Sequence, residues 1–263
     1  MLFLNIPYID KDLVKQCGAR WNPELKKWYV PYRRNYNKFG YWLANKTPDD
    51  VIIIFDYFYL IKSFRNCYKC GNQTPVIGFA FDNYVLLTNE QYEKDCEYYD
   101  NHGELDLPEP EIKPVPYAFT LSSPAKELCI ISDIAPVTTL LKDTLKNDFN
   151  YFPSYSHTVQ RKYSANHCSF CKALQGNNFL YEDIFDSPFN ISDPDVLANI
   201  EFTKIKLPCD IAITPEWCVH FNSHLHYYIR PAISDIDANI PDLSNLPEMP
   251  VPFTLEALST IIK

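Results

Sequence analysis

Two Cys-x-x-Cys pairs are the residues of this chain whose type and spacing best predict chemistry. The first pair is Cys67 and Cys70, followed directly by Gly71, and the second is Cys168 and Cys171. Each pair is typical of a tight turn that directs two sulfur atoms towards one point, and two such turns complete a tetrahedral zinc site. Gly71 suits such a turn, because one residue there usually adopts a positive φ. The sequence therefore predicts a structural Zn²⁺ held by these four thiolates.

The distance between the two pairs is unusual for a zinc ribbon. About a hundred residues separate them, whereas the pairs of a small ribbon are roughly 15–20 residues apart. We therefore expect a split ribbon, whose halves close a domain as a clasp. A redox pair or a disulfide is the alternative, but a redox pair needs a strand-to-helix junction, and both pairs are flanked by strand-like sequence. The metal site by itself predicts no activity.

A second group of potential ligands lies near the end of the chain. Five residues within 18 positions could hold another metal, namely Cys209, Cys218, His220, His224 and His226. Interleaved aromatic residues favour the alternative of an ordinary strand or loop. The chain has no Gly-rich phosphate loop, no nucleophile elbow and no His-Glu-x-x-His motif. No pattern indicates catalysis, and we expect a protein that is not an enzyme. The alternative is a hydrolase that uses this group, which requires His220, His224 and His226 to converge in a cleft.

The charge of the chain is distributed unevenly. Its net charge is −9, but residues 1–46 contain nine Lys or Arg and three Asp or Glu, so they carry +6 and the rest carries −15. This asymmetry predicts a basic partner-binding module, residues 1–46, attached to an acidic domain, residues 47–263. Residues 90–111 are especially acidic and indicate a solubilising loop. The expected partner of residues 1–46 is single-stranded DNA or RNA, and a protein partner for the acidic domain is the alternative.

The predicted fold class is α+β, with a small helix-plus-hairpin module followed by a mixed α/β domain that the zinc ribbon clasps. In the module, a strand over residues 2–6 and a helix over 11–17 precede a hairpin that turns at Asn22 and Pro23. In the domain, the β-branched run Val51–Ile54 indicates a buried strand. Strands over 76–81 and 84–87 are expected to pair, and a helix is expected over 135–146.

Basic and aromatic side chains alternate in the module. Such alternation is typical of single-strand binders, in which cations follow the phosphates and rings stack under the bases. A solvated basic face and a tryptophan-filled core are the plainer explanations of the same residues. The candidate nucleic-acid-binding residues are Arg20, Lys26, Lys27, Tyr29, Arg33 and Arg34.

Residues 18–23 (Gly-Ala-Arg-Trp-Asn-Pro) and 26–31 (Lys-Lys-Trp-Tyr-Val-Pro) resemble a small bacterial domain of unknown function. That domain occurs in plasmid primase-like and antirestriction-like proteins, and its Gly-Ala-Arg-Trp segment is similar to the DNA-engaging HARP domain of annealing helicases. The resemblance implies a nucleic-acid setting for residues 1–46. The remainder, through its two cysteine pairs, resembles uncharacterised bacterial proteins that contain a split zinc ribbon.

Composition excludes several other classes of protein. Hydrophobic residues make up 46% of the chain, which excludes global disorder. The first residues lack a signal-peptide pattern, and no apolar run reaches the ~18 residues of a membrane span. Nine cysteines, an odd number, fit reduced thiols and a metal site better than a disulfide framework. We therefore expect a cytoplasmic protein with no membrane partner.

Overall fold

The computed structural model of the protein describes residues 1–46, 50–89, 118–124, 128–134, 139–181, 187–189, 194–214 and 248–249. Within these ranges the chain forms fifteen β-strands and five short α-helices. The strands make four sheets in which antiparallel pairing predominates. The predicted α+β class is confirmed, with strands outweighing helices.

The N-terminal residues form a three-stranded sheet that is covered by short helices. The strand order is β1-β3-β2, and both pairings are antiparallel. The elements are β1 (Leu2–Leu4), a 3₁₀ helix (Tyr8–Asp10), α1 (Lys11–Gln16), β2 (Arg20–Asn22), β3 (Lys27–Val30), a second 3₁₀ helix (Arg33–Phe39) and α2 (Gly40–Leu43). The predicted hairpin is present, and the Asn22 side chain stabilises its turn by accepting hydrogen bonds from the N–H groups of Glu24 and Leu25.

Two larger sheets form the body of the molecule. One has five strands in the order β15-β13-β5-β6-β9, and the other has four in the order β14-β4-β7-β8. Their strands are β4 (Val51–Ile54), β5 (Tyr57–Asn66), β6 (Gln73–Phe81), β7 (Tyr84–Asn89), β8 (Phe119–Leu121), β9 (Cys129–Ile131), β13 (Glu201–Lys206), β14 (Ile211–Ile213) and β15 (Glu248–Met249).

The run Val51–Ile54 shows how these layers are stacked. Its side chains alternate between the two faces of the four-stranded sheet, and all four are fully buried. Ile52 and Ile54 pack in the core between the two large sheets. Val51 and Ile53 pack on the other face, in a core that is shared with the N-terminal residues. The buried strand predicted here is confirmed.

The predicted pairing of the strands over 76–81 and 84–87 is wrong. The first lies in β6 of the five-stranded sheet and the second in β7 of the four-stranded sheet. The chain changes sheets between them, as it also does between β4 and β5 at Asp56, which has a φ of 55°. The two crossings lie against each other, since the Phe55 N–H donates to the Asn83 carbonyl at 3.0 Å. Two adjoining corners replace the expected hairpin.

A third unit follows β9 and leads to the second cysteine pair. Its elements are α3 (Thr139–Phe149), β10 (Tyr151–Ser156), β11 (Arg161–His167), β12 (Leu174–Gln175), α4 (Asn177–Tyr181) and α5 (Pro194–Ala198). The helix predicted over 135–146 corresponds to α3, and residues 135–138 lie outside the described residues. Leu141 and Leu145 of α3 pack into the core between the large sheets. Leu180 of α4 packs on the opposite face of the five-stranded sheet, against Ile61 and Val76.

None of the helices in the described part of the chain is both long and apolar enough to cross a membrane.

Candidate metal centre and nucleic-acid interface

The first cysteine pair lies in the turn that joins β5 to β6. The Cys67 N–H donates to the Asn72 carbonyl at 2.9 Å, and the Gly71 N–H donates to the Cys67 carbonyl at 2.9 Å. Gly71 has a φ of 73°, as the sequence predicted for the residue after the pair. The turn thereby exposes Cys70 at the surface while Cys67 stays buried beneath it.

The second pair lies between β11 and β12 in a turn with the same hydrogen-bond pattern. The Cys168 N–H donates to the Ala173 carbonyl at 2.9 Å, and the Lys172 N–H donates to the Cys168 carbonyl at 3.0 Å. Lys172 occupies the position that Gly71 holds in the first turn, and its φ is 59°. The two cysteine pairs are therefore two copies of one local structure, although only the first has a glycine to indicate the positive φ.

The four sulfur atoms converge at one point. Their ligand atoms all lie within 4.8 Å of one another. The Cys67 and Cys171 sulfurs are 3.7 Å apart, and so are those of Cys70 and Cys168. Thiolates bound tetrahedrally at about 2.3 Å from one ion lie roughly 3.8 Å from each other. The Cys67–Cys171 and Cys70–Cys168 separations match this value, and the residues present therefore fit a tetrahedral metal ion.

Neighbouring amides also point towards the sulfur atoms. The Gln175 side-chain amide donates to the Cys67 sulfur at 3.5 Å and to the Ala173 carbonyl at 2.9 Å, and Gln175 is fully buried. The Asn72 amide lies 3.6 Å from the Cys70 sulfur. Donors of this kind offset the negative charge of thiolates and fix their orientation.

The thiols differ in their tendency to ionise. Burial raises the pKa of Cys67, but N–H donors from Cys70 and Lys69 together with the neighbouring thiols outweigh it and lower the pKa to about 6. The pKa of Cys168 is lowered in the same way, with N–H donors from Cys171 and Phe170 outweighing its burial. The Ala173 N–H lowers the pKa of Cys171, but burial and the neighbouring thiols outweigh it and raise the pKa to about 11. Cys67 and Cys168 thus become thiolates before Cys171 does.

Two further contacts hold the halves of the clasp together. The buried Asn166 side chain donates to the Ile77 carbonyl and accepts from the Ile77 N–H, both at 2.8 Å, so that it pairs with β6 as a strand would. The Thr74 hydroxyl accepts from the Ser169 N–H at 2.9 Å. Sequence reasoning missed both, because a buried Asn on a strand gives no sign of its partner.

His167 is adjacent to Cys168 but its ring points away from the sulfurs. Its Nε2 lies 2.9 Å from the Ser154 hydroxyl and its Nδ1 lies 3.2 Å from the Asn150 carbonyl. The ring stacks on Phe152 with centroids 3.9 Å apart. Burial lowers the pKa of His167. These contacts make His167 a support of the second turn and not a fifth ligand.

The second group of potential ligands is described only in part. Cys209 is buried, and burial raises the pKa of its thiol to about 11. Cys218, His220, His224 and His226 lie outside the described residues, so a second metal site there stays a prediction.

Strand register brings several of the candidate nucleic-acid-binding residues to one face of the N-terminal sheet. Tyr29 is opposite Phe3 on one side and Arg20 on the other, and Lys27 is opposite Asn22. Directly opposite residues share a face, and alternate residues of β3 share it too. Because Val30 and Leu2 face the core, these five side chains form the outer face of the sheet. Arg20 is exposed, whereas Lys27 and Tyr29 are half-buried.

The two tryptophans of the hairpin lie on the inner side, in line with the plainer explanation of these residues, but they differ in burial. Trp28 packs against the core, whereas Trp21 is 47% exposed at the edge strand. The rings are in edge contact, with centroids 5.5 Å apart. Trp28 thus serves as the core residue, and Trp21 covers it from the solvent side.

Arg33 and Arg34, although adjacent, have different surroundings. Arg34 is exposed and lies over the ring of Tyr32, 5.4 Å from its centroid. Arg33 makes a bidentate pair with the buried carboxylate of Asp210, at 2.8 and 2.7 Å. Its guanidinium also contacts Asp56 at 2.6 Å. Since Arg33 is already engaged by two carboxylates, it joins the module to the body, and its binding of nucleic acid stays a prediction.

Asp210 is the residue of this joint that sequence reasoning missed. Its carboxylate also accepts a hydrogen bond from the Tyr36 hydroxyl at 2.6 Å, and its backbone N–H donates to the Met1 carbonyl at 2.9 Å. Burial, followed by this hydrogen bond, raises the pKa of Tyr36. Asp210 lies 177 residues from Arg33, and no local pattern marks it.

Comparison with known proteins gives matches for the N-terminal segment. Residues 1–44 match the family described as a domain of unknown function (DUF5710). The chain is 40% identical over 40 residues to the DNA primase TraC of Escherichia coli, which covers 15% of this chain and 3% of that protein. The chain therefore spans only a small part of the curated relative that it matches. No solved structure matches the chain.

These findings confirm the resemblance of the N-terminal segment to a domain of unknown function and to a primase. The resemblance of the remainder to split-zinc-ribbon proteins stays a prediction.

Proposed function

We propose that this chain is a zinc-stabilised, non-enzymatic nucleic-acid-binding protein of the bacterial cytoplasm, whose N-terminal module binds single-stranded DNA. The observation that carries the proposal is the strand register, which gathers Arg20, Lys27 and Tyr29 on one outer face. The similarity of this segment to part of a DNA primase supports DNA as the ligand.

The chemistry of the outer face favours a single strand. The rings of Phe3 and Tyr29 are neighbours, with centroids 6.1 Å apart and planes tilted by 52°, and an unstacked base can stack on the face of either ring. Arg20 is in register with Tyr29, and the exposed Lys26 lies at the tip of the hairpin, so cations border the rings. Arg34 beside the exposed Tyr32 repeats the combination of a cation and a ring. A duplex keeps its bases stacked internally and cannot use the rings in this way.

We assign zinc to the four thiolates, with a structural role. A closed site of four cysteines leaves no open position for substrate, which is typical of structural zinc. Iron also binds four thiolates tetrahedrally, and the absorption spectrum of the purified protein separates the two, because an iron site is coloured. Zinc chemistry supplies no reaction step here, and the four residues act by joining the ends of β5 and β11.

Residues 1–46 and 47–263 are proposed as the two functional units. Their cores are in contact, since Leu2, Val30 and Phe39 pack in one cluster with Val51 and Leu87 of the four-stranded sheet. DNA binding is therefore best measured on the full chain, where this contact is intact.

The test is a titration of the full chain with a labelled oligothymidine of about 16 nucleotides at several salt concentrations. Four phosphate contacts, from Arg20, Lys26, Lys27 and Arg34, give a slope of about −3 in log K against log salt on a single strand. The variant Lys26→Glu with Lys27→Glu should weaken binding at least tenfold and reduce the slope by about 1.4. The matched control is Lys15→Glu with Lys38→Glu, which makes the same charge change elsewhere in the module.

Equal affinities of the hairpin variant and the control would show that the outer face does not bind DNA. In that case the alternative, a protein partner for the acidic domain, takes its place. The acidic segment over residues 90–111 on which that alternative rests lies outside the described residues.

A further inference from the structure

We propose that the zinc clasp carries a second binding surface for single-stranded DNA, separate from the N-terminal module. The surface consists of exposed side chains on the two cysteine turns, Tyr68, Lys69, Phe170 and Lys172, and is called the clasp surface here. It does not depend on DNA binding by residues 1–46.

The first observation is the charge of the segments that form the clasp. Residues 57–81 and 149–181 together contain six Lys or Arg and no Asp or Glu, in a chain whose net charge is −9. They are bounded by Asp56, Asp82, Asp148 and Glu182, so the carboxylates stop where the clasp begins. Glu201 on the neighbouring β13 pairs with Lys62 at 2.8 Å and neutralises one of the six. The segments that form the clasp therefore lack carboxylates within an acidic domain, and Lys69 and Lys172 on the turns themselves are complementary to a polyanion.

The second observation is the exposure of aromatic rings on the same turns. Tyr68 is 70% exposed and Phe170 is 65% exposed, so both rings are open to solvent. Each stands in a turn of four residues between two metal-binding cysteines, so its backbone is fixed by the sulfur cluster. A fixed, exposed ring loses little conformational entropy when a base stacks on it.

The third observation is that each ring has a cation close by in sequence and in space. Tyr68 is followed by Lys69, and Phe170 is followed two residues later by Lys172. Because the four sulfurs lie within 4.8 Å of one another, both turns meet at one tip of the molecule. Lys172 donates to the Asn150 amide oxygen at 2.8 Å, which leaves two of its three N–H groups for a phosphate. Two rings and two ammonium groups at one tip are the elements of a single-strand site.

The surface extends beyond the tip along β5. Arg65 precedes Cys67 by two residues, and its guanidinium lies 5.7 Å from the ring centroid of Phe179, which is 51% exposed. The same combination of cation and exposed ring is thus repeated next to the turns. A protein partner would be expected to cover these rings with apolar side chains, whereas the surrounding positive charge favours nucleic acid.

The test uses the full chain and an oligothymidine of about 16 nucleotides in four proteins: wild type, the hairpin variant Lys26→Glu with Lys27→Glu, a clasp variant, and the two combined. The clasp variant Lys69→Gln with Lys172→Gln removes two charges and should reduce the salt slope by about 1.4. A second clasp variant, Tyr68→Ala with Phe170→Ala, should weaken binding about 5- to 150-fold for each ring that stacks on a base. The matched control is Lys142→Gln with Lys146→Gln on α3, where both lysines are exposed.

Zinc content and thermal unfolding of each variant show whether the clasp is intact. The charge variant leaves the turns and their cysteines unchanged, so it tests the proposal even where the aromatic variant loses metal. Affinity and salt slope equal to the control in the charge variant overturn the proposal. Equal or tighter binding of duplex DNA, or binding of RNA alone, also overturns it. If only the clasp variants weaken binding, this inference stands and the N-terminal interface fails. If only the hairpin variant weakens binding, the N-terminal interface stands and this inference fails.

Discussion

Two regions of this molecule join segments that are far apart in the chain, and they do so by different means. The N-terminal module is held against the four-stranded sheet by a continuous apolar core, with the Arg33–Asp210 pair at its edge. The zinc clasp joins the ends of β5 and β11, where the burial of β5 gives way to exposed residues such as Phe64 and Asn66. Four thiols, one buried amide pairing and a few hydrogen bonds hold it.

The difference teaches where a metal is needed. Burial of apolar area stabilises by about 25 cal/mol per Å², so a large shared core holds the module without further help. Beyond the core the strands of the clasp have little apolar area to bury. A metal ion bound by the four cysteines would supply the missing free energy there, and it would also fix polar and aromatic side chains in solvent. We therefore expect metal removal and acidification to destabilise the clasp. Changes in packing or in buried charge should instead destabilise the contact between the module and the four-stranded sheet.

The largest effect is expected from removing one thiolate of the clasp. Replacing Cys168 with Ser should abolish tight zinc binding, since this buried ligand belongs to the second turn. At free zinc a thousandfold above Kd, a bound ion contributes about 4 kcal/mol of stability, and the variant should lose most of it. Metal analysis and thermal unfolding with and without a chelator measure this. The control is Cys17→Ser, outside the cluster, which should retain one zinc per chain. An unchanged melting temperature in metal-free wild-type protein would show that metal does not stabilise the clasp, and the contrast between the two regions would then fail.

Acidification should release the metal from the clasp before it affects the apolar joint. Zinc binds the thiolate, and the pKa of Cys67 is lowered to about 6 because N–H donors outweigh the effect of its burial. The stabilisation that the Cys67 thiolate contributes is therefore fully present above the ordinary thiol pKa. It is lost as the pH falls through about 6, where protons compete with the metal for this sulfur. Zinc release followed by a colorimetric chelator between pH 7 and 4 tests this. Full retention of zinc at pH 4 would contradict it.

At the module joint, Asp210→Asn should destabilise the protein by about 2 kcal/mol. The change removes the buried carboxylate that Arg33 and Tyr36 share. Losing one partner of a fully buried pair costs roughly 3–5 kcal/mol, and the effect is smaller here because the Arg33 side chain is 45% exposed and can be solvated. Urea unfolding at saturating zinc measures the change. Arg34→Gln, at the neighbouring exposed residue, is the control and should stay within about 0.5 kcal/mol. Equal shifts for the two variants would show that the pair does not contribute to the joint.

The smallest effect is expected from Gly40→Ala, at about 1.5 kcal/mol of destabilisation. In an ordinary helix this change stabilises by roughly 1 kcal/mol, but here the added Cβ would overlap the ring of Phe119 in β8. Overpacking of this kind typically costs about 1–3 kcal/mol. In a background carrying Phe119→Leu, which makes room, the same change should cost less. Unfolding of the four proteins completes this cycle, and stabilisation by Gly40→Ala alone would show that module and sheet are not in close contact.

The clasp could be predicted from the sequence because its chemistry allows few solutions. Four thiols in two short turns point to a tetrahedral metal, and Gly71 indicates the positive φ that the first turn needs. The run Val51–Ile54 likewise predicts a strand buried on both faces. The residue types and their spacing within each short segment are enough to identify these elements.

The contact between the module and the body, and the order of the strands in the sheets, could not be predicted, because both depend on residues that are distant in sequence. Asp210 stabilises Arg33 across 177 residues, and the identity of a distant partner leaves no local periodicity. The strand β10 was missed because Pro153 weakens the strand pattern, although an edge strand that pairs only with β11 tolerates it. The change of sheet at Asp56 depends on how the two sheets twist and pack, and residues far away in the sequence determine that packing.

The contacts of the clasp and of the module join residues that are far apart in sequence. Each contact can therefore form only after the later of its two residues has been synthesised. Cys67 meets Cys171 across 104 residues, and Arg33 meets Asp210 across 177. At about 5–20 residues per second, the ribosome adds the residues between Arg33 and Asp210 in roughly 10–35 s. For most of that interval the basic N-terminal segment and Asp56 have been synthesised, but Asp210, the buried one of the two carboxylates that contact Arg33, has not. The basic N-terminal segment is therefore among the last parts to be anchored, because Arg33 can pair with its buried partner only after Asp210 has been synthesised.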